Sequence, residues 1–178
     1  MRSARDLCAL VDPAPSMLLL EDMSDAFPPR LKLHHRVPGW VASGSTFHIR
    51  IRAIPMPTGV AALTEATIGA ALLKSVKHYN QRQRWWCSLF LLMPDHLHAL
   101  LSFPKELAMS RIIGEWKHFH AVQTRVSWQD GYFDHRIRNA REHDLKAGYI
   151  RQNPVVKGLC KHAADWPWVW EPARTIDA

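Results

Sequence analysis

Cysteine is scarce in this 178-residue chain: Cys8, Cys87 and Cys160 are odd in number and far apart. That spacing excludes a disulfide framework and a CxxC metal knuckle, and it fits a reducing compartment. Long apolar runs are lacking too. No stretch approaches the roughly 20 residues that a membrane-spanning helix needs, so a membrane partner is not expected. The N-terminus carries Arg2 and Arg5, but Asp12, Pro13 and Pro15 break its apolar stretches, and it is not read as a signal peptide. Internal repeats and low-complexity blocks are also missing, which excludes solenoid and repeat architectures.

Acidic charge is in the minority. There are 16 Asp and Glu against 23 Lys and Arg, for a net charge of +7. The excess favours a polyanionic partner, although charge of this size does not by itself select one. Apolar residues make up 47% of the chain, enough for a folded core of single-domain size. Residues 1–30 read apart from the rest. They hold Pro13, Pro15, Pro28 and Pro29 without periodicity, and Met17 and Met23 are possible internal starts. A flexible tail or sequence ahead of the true start is expected there, with one domain over 31–178.

The pattern downstream is regular. Thr46 to Ile54 alternates apolar and polar residues, as a half-buried strand does. Thr64 to Gln83 has the helical spacing Ile68, Ala71, Leu72, Val76 and Tyr79, with Thr64 as its cap. Trp85 to Met93 is apolar almost throughout and reads as a central strand. Met93-Pro94-Asp95 breaks it, and His98 to Phe103 returns as a second strand after a tight antiparallel turn. Lys105 to Val126 is a second helix, with Trp116 in its apolar stripe; Trp85, Trp86 and Trp116 suit core positions. A short strand over Tyr132 to Ile137 precedes a helix over Ala140 to Gln152 and a short fourth helix over Val155 to Lys161. The Trp166-Pro167-Trp168 segment is a packing or contact element. The order β-α-β-β-α-β-α predicts an α+β fold, a ferredoxin-like antiparallel sheet with helices packed on one face.

Two segments can carry chemistry. His96 and His98 sit two apart, and residues i and i+2 of a strand share a face. Both can then ligate one divalent metal through neutral ring nitrogens. The triplet is a weak signal alone, since 11 histidines produce about 0.7 such triplets by chance. His118-Phe119-His120 is a second instance, but it falls in a helix, where i and i+2 diverge. The other segment holds Tyr149, in a helix flanked by Arg138, Arg141, Lys146 and Arg151. A free phenol ionises near pH 10 (about 10), so tyrosine is a poor nucleophile until it is positioned and its leaving group is stabilised. In a continuous helix Asn153 shares the tyrosine's face. Asn153-Pro154 is equally a good helix start, with Asn as the cap and Pro in the first turn.

Four ordered blocks carry a resemblance. Met93-Pro94-Asp95-His96-Leu97-His98 resembles the signature of IS200-like transposases. Gly131 to Asn139, Tyr149-Ile150 with Asn153-Pro154-Val155, and Asp165-Trp166-Pro167-Trp168 resemble that family's REP-associated branch. The likeness spans about residues 36–170. It implies a single-tyrosine (Y1) HUH nuclease, with the catalytic tyrosine on a C-terminal helix: a metal-dependent endonuclease and strand transferase on single-stranded DNA, often at hairpins of palindromic repeats. It implies a 5′-phosphotyrosine intermediate and magnesium or manganese as the cofactor. Carried over by motif, His96 and His98 are the metal-binding pair and Tyr149 is the nucleophile. Asn153 stands in the third ligand position, where the simpler insertion-sequence enzymes have glutamine. Arg136, Arg138, Arg151 and Lys157 are candidate phosphate contacts, and Lys117 is a weaker one. The resemblance further implies a cytoplasmic, nucleoid-associated monomer or homodimer. A domesticated module that grips hairpin DNA without cutting it is the alternative reading, and a hydrolase using water is another.

Overall fold

The structure, a computed structural model, describes residues 44–54 and 63–172. The expected N-terminal tail lies outside the described residues. The elements run β1 (Thr46–Arg52), α1 (Ala66–Gln81), β2 (Trp86–Leu92), β3 (His96–Ser102), α2 (Met109–Thr124), β4 (Phe133–Arg136), α3 (Ala140–Val156) and β5 (Val169–Trp170). A 3-10 turn at Ala163–Asp165 precedes β5. The sheet is antiparallel in the order β4-β1-β3-β2-β5. Its first four strands have the split βαβ connectivity of ferredoxin-like folds, so the expected α+β class is the observed one.

Alternation along the strands divides the side chains between two layers. Phe47, Ile49 and Ile51 of β1, with Leu97, Ala99 and Leu101 of β3, face one side. There they meet Ile68, Leu72 and Val76 of α1 and Ile112, Ile113 and Trp116 of α2. The opposite face is smaller. Leu89, Leu91 and Met93 join Leu100, and Ala147 and Ile150 of α3 cover them. The helices α1 and α2 thus share one face, as expected, and α3 packs on the other. Alternation lets the continuous apolar run of β2 feed both layers, and a bulge between Cys87 and Leu89 puts those two residues in different layers. No helix of the described residues is long and apolar enough to cross a membrane.

Several local expectations are corrected. Glu65, not Thr64, caps α1, its carboxylate accepting from the backbone N–H of Thr67 and Ile68. β3 begins at His96, two residues ahead of the expected His98, so His96 also lies within the strand. Trp85 and Trp116 are core residues, but Trp86 is 47% exposed because it alternates with the core-facing Cys87. The predicted break at Asn153-Pro154 does not occur, and α3 runs through it to Val156. Proline removes the N–H that would bond the Ile150 carbonyl. The Asn153 side-chain amide compensates, donating to the Tyr149 carbonyl at 3.0 Å and reaching the Ile150 carbonyl at 3.4 Å. The tryptophan segment is a packing element: Trp166 Nε1 donates to the Leu92 carbonyl at 2.9 Å, and the Leu92 N–H donates to the Trp168 carbonyl at 2.9 Å.

Candidate active site

The polar face of β1 and β3 gathers the chemistry. Register places Arg50 opposite His98 and Arg52 opposite His96. His48 lies one step along the same face, buried, with its ring stacked on His98 at 5.2 Å between centroids. Three histidines therefore meet: His48 Nε2 is 3.0 Å from His98 Nδ1, and His98 Nε2 is 3.2 Å from His96 Nε2. The other nitrogen of His96, Nδ1, donates to Asp95 Oδ1 at 2.7 Å. Asp95 is fixed in turn, because its carbonyl accepts the Ala53 N–H at 2.8 Å.

The rings are held neutral. Burial lowers His98 well below the ordinary histidine range, and the nearby His48, His96, Arg50 and Lys146 push the same way. Burial also lowers His48, to about 3, helped by Lys146, Arg50 and His135. His96 is lowered by burial against the opposing pull of Asp95. A neutral imidazole is the form that ligates a metal. Two nitrogens each about 2.1 Å from one cation, at an angle of about 90–100°, are about 3 Å apart. The separation of the two Nε2 atoms fits that geometry. Each ring has its Nδ1 occupied by an outer partner, as metal-binding histidines generally do. Among the described residues no group of three or more His, Cys, Asp and Glu side chains is arranged to hold a metal. The His96–His98 pair would need a further donor, such as an amide or water oxygen. Asn153 is buried with its Nδ2 engaged on the helix backbone, which leaves Oδ1 as its possible ligating atom.

Tyr149 is carried to this place by α3. Ala147 and Ile150 anchor the helix to the sheet, and His143 Nε2 lies 3.0 Å from Ser88 Oγ. The Tyr149 ring stands edge-on to His98 at 6.2 Å between centroids, yet its side chain is 55% exposed. Lys146, one helical turn earlier, holds its ammonium 5.2 Å from the tyrosine ring centroid. Sequence reasoning brought His96, His98, Tyr149 and Asn153 forward, and the fold places the histidine pair beside the tyrosine. It passed over His48, Arg50, Arg52, Asp95 and the particular place of Lys146. The alternation of β1 held the signal for three of these, since it puts His48, Arg50 and Arg52 on one face.

The predicted phosphate contacts are scattered. Arg138 and Lys157 are exposed at opposite ends of α3, and Arg136 is half-buried on β4. Arg151 pairs with Glu171 at 2.7 Å. Lys117 donates to the carbonyls of Gln129 and Gly131 at 2.7 and 2.8 Å, so it ties down the loop before β4. His118 and His120 do diverge: His118 is exposed, while His120 is buried against Ser75 Oγ at 2.8 Å.

No protein-family model matches the chain. Among curated proteins it is similar to the REP-associated tyrosine transposase of Escherichia coli (strain K12), with 27% identity over 84 residues, 44% of this chain and 50% of the relative. The chain thus spans about half the length of that relative. Among solved structures it is similar to a REP-associated tyrosine transposase bound to a REP hairpin. The TM-score is 0.60 at 20% identity, covering 72% of this chain and 77% of the other, which is a likeness of fold. Over about half of that relative's sequence, and in fold, the chain is similar to REP-associated tyrosine transposases.

Proposed function

We propose that this chain is a metal-dependent endonuclease and strand transferase for single-stranded DNA, acting at hairpins of palindromic repeats. The observation that carries the reading is the placement of the exposed Tyr149 phenol beside His98, whose Nε2 converges with that of His96. A magnesium or manganese ion held by His96, His98 and the Asn153 amide oxygen would polarise a phosphoryl oxygen and steady the leaving oxygen.

The remaining work falls to side chains. The Tyr149 oxygen attacks the scissile phosphorus, and the bond to the 3′-oxygen breaks. The phenol gives up its proton, the departing 3′-oxygen gains one, and the 5′-phosphate stays esterified to Tyr149. Attack by another 3′-hydroxyl reverses the step and joins strands. No ATP is consumed, because the phosphotyrosine ester retains the bond energy. Lys146, Arg50 and Arg52 place positive charge around the reacting phosphate, and Arg136, Arg138, Arg151 and Lys157 are read as contacts to the flanking backbone.

The test is a denaturing gel of purified protein with hairpin oligonucleotides from its own genomic flanks, in manganese or in EDTA. The reading predicts a metal-dependent, protease-sensitive band in which protein carries one DNA end. Tyr149→Phe should abolish the band while leaving hairpin binding largely intact. A cut without an adduct would support a hydrolase using water. Binding with neither cut nor adduct would support a domesticated hairpin-binding module.

A further inference from the structure

We propose that His48 is a positioning residue for the metal pair, one that sets which nitrogen of His98 is bare. The inference rests on the metal-dependent reading, and it follows from an accounting of protons along three rings. Asp95 accepts only, so His96 donates from Nδ1 and its Nε2 carries a lone pair. His96 Nε2 faces His98 Nε2 at 3.2 Å, and His98 Nδ1 faces His48 Nε2 at 3.0 Å.

In the cation-free molecule the contacts close in one way. His48 donates from Nε2 to His98 Nδ1, and His98 donates from Nε2 to His96 Nε2. In that state His98 presents a proton where a ligand needs a lone pair. For both Nε2 atoms to be bare, His98 must carry its proton on Nδ1, and His48 Nε2 must turn from donor to acceptor. The proton on His48 Nε2 crosses to His98 Nδ1, His98 releases its Nε2 proton, and His48 takes one at Nδ1. The count of bound protons is unchanged. A side chain at position 48 must therefore be able both to give and to accept a hydrogen bond. Histidine does so by changing tautomer, and glutamine could do so by rotating its amide. The environment holds the ring in place: His48 is buried, and its ring is stacked on His98 and edge-on to Phe133.

The experiment uses the full chain without DNA. Manganese binding is measured by calorimetry on the wild type, His48→Phe and His48→Gln, with thermal midpoints as a folding control. Phenylalanine keeps a ring to stack but offers no nitrogen. The expected result is a manganese affinity about 10- to 100-fold weaker in His48→Phe and largely restored in His48→Gln. In parallel, nitrogen-15 NMR of the wild type should show His98 protonated on Nε2 without metal and on Nδ1 once magnesium or zinc is added. The inference is overturned by wild-type manganese affinity in a folded His48→Phe, by equal weakness of the two folded variants, or by an unchanged His98 tautomer. Should His48→Phe fail to fold, the tautomer measurement decides alone. A wild type that takes up neither manganese, magnesium nor zinc overturns this inference together with the metal-dependent reading. Adduct formation by Tyr149→Phe would overturn the assignment of Tyr149 as the nucleophile while leaving the result at His48 standing.

Discussion

The ammonium of Lys146 is placed to act on the tyrosine and on the histidines at once. It lies over the Tyr149 ring at 5.2 Å, and its charge is felt at both His48 and His98. On the proposed reading it meets the charge that builds on the phosphate as the phenol attacks. Loss of one such preorganised donor commonly costs on the order of 100-fold in rate. Lys146→Met should slow adduct formation by about that much while weakening hairpin binding less than tenfold (roughly the worth of one phosphate contact). Lys146→Arg should recover part of the rate. A Lys146→Met variant that forms adduct at the wild-type rate would remove Lys146 from the reaction. At this scale spacing stated only that His96 and His98 share a strand face, and Tyr149 came forward through the resemblance. His48 and Asp95 were not legible as partners, because each acts through a ring brought close by cross-strand register or by a turn, and no local spacing records that.

At the scale of elements, alternation announced β1, a continuous apolar run announced β2, and helical spacing announced the first two helices. Local pattern failed at α3, whose Asn153-Pro154 pair has the chemistry of a helix start. There one side-chain amide reaches the Ile150 carbonyl that proline leaves short of a donor, as well as the carbonyl of Tyr149. A close approach elsewhere is equally hidden. Gly69 lies on α1 against Trp168, and a Cβ added there would collide with the indole ring. Trp168 packs against both core clusters and has little room to withdraw. Replacing helical glycine by alanine ordinarily gains about 1 kcal/mol. At Gly69, overpacking of about 1–3 kcal/mol should outweigh that gain and lower the thermal midpoint. At Gly114 nothing stands within 4 Å of the added atom, so Gly114→Ala should raise stability by up to about 1 kcal/mol. Melting curves of the two variants check the contrast, and a stabilised Gly69→Ala would show that Trp168 yields.

At the scale of the molecule, the sheet divides its labour between its faces. α1 and α2 bury the larger core on one side, and the other side is left to a polar histidine row roofed by α3. The fold class could be read ahead because the element order admits few topologies. That α3 would roof the opposite face could not, since its exposed positions include Leu145, Tyr149 and Val156 and blur its apolar stripe. One consequence concerns ownership of the nucleophile. Tyr149 stands beside His98 of its own chain. Mixing Tyr149→Phe with His98→Ala should therefore not restore adduct formation, whereas efficient complementation would show that tyrosines are exchanged between copies.

The most direct test of the central claim is to map the bond itself. Wild-type protein would be incubated with manganese and hairpin DNA, digested with trypsin and nuclease, and examined by mass spectrometry. The account predicts a residual nucleotide phosphate on the peptide Ala147-Gly148-Tyr149-Ile150-Arg151, attached at Tyr149. Attachment at Tyr79, at Tyr132 or at a residue other than tyrosine would contradict it, and so would cleavage of the hairpin with no attachment to the protein.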